Sequence, residues 1–165
     1  MRTTAAIALV VALAALAAAS HPAAAKPSRH DGRCTKVAGE FAFTKFQFTS
    51  DTTAFGVGVV RGDLSGSFHA QYWDITPGAN GVVETQGSHV LTTPLGTLVT
   101  LDDIRLLPDT NGFVRPDSRL HVVGGTKAYE HATGLLRTSG RVNLTTLEGA
   151  IAFEGTVCGA DRDED

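Results

Sequence analysis

From Cys34 to Cys158 the chain repeats one pattern. A short run of Val, Thr, Phe, Leu or Ile is followed by a cluster of Gly, Pro, Asn or Asp. No window in this span sustains a helical period. Turn signals at such short, regular spacing predict an all-β sandwich or barrel. Eight strands are expected, over residues 35–49, 55–61, 64–75, 82–92, 95–107, 113–123, 134–144 and 148–158. In the first, phenylalanines fall at 41 and 43 and then at 46 and 48. That change of parity predicts a β-bulge near Thr44-Lys45. Eight antiparallel strands in up-and-down order suit a closed barrel. Its interior is just wide enough to be filled or to hold one small ligand. Closure also removes exposed strand edges. Residues 124–133 read as an irregular connection with one helical turn at 127–131.

The flanks of this span are of different composition. Residues 1–25 carry one positive charge, Arg2, then an apolar run over 5–19 and small residues at Ala23 and Ala25. This is the layout of a secretory signal peptide. The apolar run is short for a membrane span, which needs about 20 residues. Residues 26–33 form a polar leader, 34–158 the barrel domain, and 159–165 an acidic tail. Removing Arg2 from the 14 basic side chains leaves 13 against 17 acidic ones, a net charge of −4. A mildly acidic domain without a basic cluster argues against nucleic acid and against an anionic membrane surface. The expected protein is therefore secreted, with no stable membrane association once the leader is cleaved.

Two cysteines, Cys34 and Cys158, bracket the folded part. In an oxidising compartment a disulfide is the default for such a pair, with two free thiols as the alternative. A bond between them requires the first and last strands to be neighbours, which a closed barrel provides. No metal site is expected. His69, His89, His121 and His131 lack the paired spacing and neighbouring cysteines of a ligand set. Gly56-Val57-Gly58 is a strand glycine pair rather than a phosphate loop, because no helix follows.

The stretches HVLTTPLGTLVTLDDIRL (89–106) and SRLHVVGGTKAYEHATGLLRTSGRVNLTTLEGAIAFEGTVC (118–158) resemble the allene oxide cyclase-like barrel proteins. That group in turn resembles the plant dirigent proteins. The marker is Gly124-Gly125-Thr126-x-x-Tyr129-x-x-Ala132-Thr133-Gly134, followed by a Leu-Arg-Thr strand and a last strand ending in Cys158. The resemblance spans 36–158. It implies an eight-stranded barrel, assembled as a dimer or trimer, with a ligand cavity at one mouth. It implies cyclisation of an unstable fatty-acid epoxide, other ring closures, or steering of phenoxy-radical coupling, with no cofactor. No segment matches the N-terminal catalytic pattern of the plant enzymes, so no catalytic residue carries over.

Strand alternation supplies the candidates instead. Two carboxylates share a face with apolar neighbours: Glu84 with Val82 and Val90, and Asp102 with Leu98 and Ile104. Desolvation there would raise the carboxyl pKa and suit a general acid–base. Tyr72 is the candidate donor to a developing oxyanion, and Trp73 the flat wall for a ring or alkyl chain. Ser88, Ser118 and Tyr129 complete the ligand-binding set, Tyr129 having the alternative role of plugging a barrel end. The expected function is binding of a small hydrophobic molecule and guidance of its cyclisation or coupling. A non-catalytic ligand-binding protein or a structural module on the same scaffold are the alternatives.

Overall fold

A computed structural model of the chain describes residues 33–160. The expected signal peptide, nearly all of the 26–33 leader and the tail from Asp161 lie outside the described residues.

Nine strands follow one another: β1 Cys34–Phe48, β2 Ala54–Gly62, β3 Gly66–Pro77, β4 Val83–Thr93, β5 Gly96–Pro108, β6 Val114–Pro116, β7 Arg119–Gly125, β8 Thr133–Val142 and β9 Gly149–Cys158. All pairings are antiparallel. Neighbours in sequence pair from β1 to β5, then β5 with β7, β7 with β8 and β8 with β9. β9 returns to β1 through eight residue pairs, from Cys34 opposite Cys158 to Phe41 opposite Ile151. The sheet is thus a closed eight-stranded barrel. The Cys34–Cys158 disulfide joins its first and last strands.

The expected sixth strand, 113–123, is interrupted. β6 and β7 pair with the same two neighbours, β5 and β8, and together fill one position of the barrel. Pro116 has no N–H to give the ladder and ends β6. Asp117 and Ser118 bridge the gap, and the Asp117 N–H donates to the Arg105 carbonyl at 2.8 Å. The bulge in β1 falls at Thr44, between the Phe43–Gly58 and Lys45–Val57 pairs, as the phenylalanine spacing predicts. The helical turn after β7 is a 3-10 turn, Lys127–Tyr129.

β2 is rich in glycine for a steric reason. A Cβ on Gly56 would lie 2.5 Å from the Phe43 ring, and one on Gly58 would lie 2.7 Å from the Phe68 ring. The two glycines leave the space that the two phenylalanines fill. The interior packs around Phe41, Phe68, Leu91, Leu98, Leu120, Leu136 and Phe153, all nearly inaccessible to solvent. One end of the barrel is shut by Leu64, Tyr129 and Ala132, each buried. Gly124 turns the chain into this end at φ +130, a conformation that favours glycine.

Candidate functional site

The opposite end, where β1 finishes and β5 leaves the barrel, is not filled. A cavity of about 200 Å³ reaches inward from Phe48, Ile75, Val83, Leu106, Val114 and Leu144. Phe48 stands at its rim, 60% exposed. Below it, Phe46, Phe43 and Phe41 descend along β1 in ring contact with their neighbours. Phe46 meets Phe48 at 5.5 Å and Phe43 at 6.0 Å, and Phe41 meets Phe68 at 5.2 Å. Among the described residues, no Lys, Arg, Asp or Glu lines the cavity.

Polar chemistry is concentrated at the floor. Tyr72, Gly87, Asp102 and Leu120 lie side by side across β3, β4, β5 and β7. The inward position between Tyr72 and Asp102 belongs to Gly87, which has no side chain to fill it. His89, one inward step deeper on β4, occupies the space between them. Its Nδ1 lies 2.7 Å from Asp102 Oδ2, and its Nε2 lies 3.4 Å from the Tyr72 hydroxyl. The Thr100 hydroxyl donates to the other oxygen of Asp102 at 2.6 Å. The imidazole packs against Phe41 at 5.2 Å and Phe68 at 5.8 Å, between ring centroids. Tyr72 and His89 line the cavity; the Asp102 side chain is wholly buried behind them.

This order sets which group can donate to which. A buried carboxylate needs donors, and Asp102 takes one from Nδ1–H and one from Thr100. In the neutral tautomer with hydrogen on Nδ1, the imidazole presents its lone pair at Nε2. Burial pushes the Tyr72 phenol far above its ordinary pKa, and the charge of Asp102 adds to the effect. Tyr72 therefore keeps its proton and acts as a donor. At 3.4 Å its bond to Nε2 is long for an O–H···N contact, which leaves the hydroxyl free to turn toward a bound molecule.

The sequence candidates divide sharply. Asp102 and Tyr72 meet in this network through His89. Ser118 lines the cavity wall, 3% exposed. Glu84 does not share their environment. Its side chain is 63% exposed on the outside of the barrel, 3.4 Å from Arg105, so the expected desolvation is absent. Ser88 sits on the outward face of β4, opposite Gln71 and Leu101. Trp73 follows inward-facing Tyr72 and turns away from the cavity; its carbonyl accepts from Thr85 at 2.7 Å. Tyr129 is buried at the closed end, away from the cavity lining, where it serves as the plug.

His89 is the residue that reading one strand at a time passes over. Pairing the β4–β5 hairpin reveals it. Thr93 opposes Gly96, so Leu91 opposes Leu98, His89 opposes Thr100 and Gly87 opposes Asp102. The same register places Glu84 opposite Arg105, on the outer face. Among the described residues no group of three or more His, Cys, Asp or Glu is arranged to hold a metal ion.

The fold and site define a class: a closed antiparallel barrel with an apolar cavity at one mouth and a Tyr–His–Asp network at its floor. No family model, curated protein or solved structure matches the chain.

Proposed function

We propose that the chain is a secreted barrel that admits one small hydrophobic molecule and moves a proton on it, as a cofactor-independent isomerase or cyclase. The observation that carries this reading is the placement of His89 and Tyr72, backed by Asp102, at the floor of an otherwise apolar cavity. Tyr72 donates to an oxygen of the bound molecule. His89 Nε2 takes a proton from a neighbouring carbon and returns it to another carbon of the same molecule. Asp102 holds the tautomer and balances the imidazolium that forms in between. No oxidant or co-reactant is consumed. An apolar, water-poor setting strengthens each of these interactions. The resemblance of residues 89–106 and 118–158 to allene oxide cyclase-like barrels points the same way. The disulfide fits an oxidising compartment.

A proton shift of this kind can be read without the natural substrate. In D2O, wild-type protein is expected to speed exchange of the α-hydrogens of cyclohexanone, followed by proton NMR. Positioned acid–base groups contribute about 10²–10⁴-fold. His89→Gln and Tyr72→Phe, checked for folding by circular dichroism, are expected to lose most of that gain. Exchange at the buffer rate with wild type would sink the acid–base reading.

A second reading, binding without chemistry, is favoured by one observation. Tyr72, His89, Asp102 and Thr100 already satisfy one another without a ligand. Ketone binding with no exchange would select it.

A further inference from the structure

The Ser118 side chain makes no hydrogen bond within the fold. Its backbone N–H donates to Thr138 Oγ1 at 3.2 Å, and its carbonyl accepts from the Thr138 N–H at 3.2 Å. The break between β6 and β7 is thereby pinned to β8. The Ser118 hydroxyl, buried and on the cavity wall, has no hydrogen-bond partner, and it alone among the described buried side chains is in that position. The other hydroxyls at this level are engaged. Thr85 donates to the Trp73 carbonyl, and Thr138 accepts from Ser118. Buried hydroxyls are rarely left unpaired, and one on a residue that lines a cavity invites a partner from inside it.

Its height in the barrel is set by the register. Leu120 lies level with Asp102, and Ser118 precedes Leu120 by two residues toward the mouth. At about 3.4 Å per residue this is about 7 Å along the strand. The unpaired Ser118 hydroxyl therefore sits one layer above Tyr72 and two above His89, on a wall that is otherwise apolar and aromatic apart from the engaged Thr85 and Thr138 hydroxyls. Among the described residues no Lys, Arg, Asp or Glu lines the cavity, so an ionised ligand would meet no counter-charge from them. The volume, about 200 Å³, is that of a single substituted ring; a 150 Å³ apolar cavity is known to hold benzene.

We infer that Ser118 is a second anchor and that the ligand is a neutral, single-ring molecule with two hydrogen-bonding groups at opposite ends. One group meets Tyr72–His89; the other meets the Ser118 hydroxyl. This rests on the cavity being a ligand site, as proposed above, and adds the ligand's class and its orientation. Ser118 is a positioning residue: it selects ligands of this class and sets which end reaches His89.

The test compares cyclohexanone with cyclohexane-1,4-dione, by NMR titration of wild type and Ser118→Ala. Wild type is expected to bind the dione about 2–12-fold more tightly, the range of one added neutral hydrogen bond. In Ser118→Ala that preference should vanish, chiefly through loss of dione affinity. The Tm of the unliganded variant should be unchanged or higher, because an unpaired buried hydroxyl has been removed. A structural role for the hydroxyl would instead lower Tm. A dione preference that survives Ser118→Ala, equal binding of the two ketones to wild type, or a lowered Tm overturns the anchor and leaves the cavity reading standing. Wild type that binds neither ketone overturns both. Ser118→Gly serves as a second hydroxyl-free variant and must give the same loss of preference.

Discussion

Tyr72 is enclosed by Phe46, at 5.8 Å between ring centroids, and by His89, at 5.9 Å. Its phenol pKa is raised, first by burial and then by Asp102. The linkage to stability has a definite sign. In the unfolded chain Tyr72 titrates near 10. The folded form still holds its proton there, so above that pH the native state binds more protons than the unfolded one. Stability from this group is complete below about pH 10 and falls as pH rises, by about 1.4 kcal/mol per unit. Tyr72→Phe is expected to remove that component, giving a shallower loss of Tm between pH 9 and 11 than wild type. Parallel slopes would show that Tyr72 ionises as freely in the fold as out of it. At this scale the sequence was half legible. Tyr72 and Asp102 could be chosen from chemistry and alternation within one strand. Glu84 could not be rejected, nor His89 found, because both depend on how β4 is registered against β5. Neighbouring apolar residues on one strand do not reveal which of its faces is buried.

Elements were legible wherever local chemistry dictates them. The phenylalanines of β1 announce a change of face, and the bulge at Thr44 provides it. The double glycine at 124–125 marks the chain's departure from β7. The interruption after Pro116 was less visible, since a proline in a strand is tolerated at an edge or first position as well as at a break. β2 gives the sharpest element-scale test, because its glycines are spaces rather than hinges. Gly58→Ala would bring a methyl to 2.1 Å from the Ala42 carbonyl oxygen and 2.7 Å from the Phe68 ring. Overpacking of this kind costs ~1–3 kcal/mol. Urea denaturation should show a lower midpoint, equivalent to that loss at an unchanged slope. A midpoint equal to wild type would mean that β1 and Phe68 yield more easily than a packed barrel should.

Across the whole molecule, closure rests on two devices at one seam. The β1–β9 ladder supplies hydrogen bonds, and the disulfide links residues 124 apart in sequence. In the loop-entropy model a cross-link of that span stabilises by roughly 4–5 kcal/mol. Replacing both cysteines, Cys34→Ser with Cys158→Ser, is expected to lower the urea midpoint accordingly. The far-ultraviolet signature of β-structure should persist, because the ladder itself is intact. Loss of that signature in buffer would assign closure to the covalent bond alone. The barrel class was legible because strand spacing and turn chemistry recur along the whole chain. Which end stays open was not, because a void is the joint result of many side chains falling short, with no residue to announce it.

The two ends of the barrel are built unlike each other, and this sets the traffic through it. Leu64, Tyr129 and Ala132 seal one end beside the disulfide, while Phe48 stands in solvent at the other. Among the described residues the cavity opens at the Phe48 end. On the proposed reading, a guest that enters past Phe48 leaves past Phe48 before the next arrives. Residence time is then governed by motion of the rim, and the site is suited to rearranging one guest rather than joining two that arrive from opposite sides.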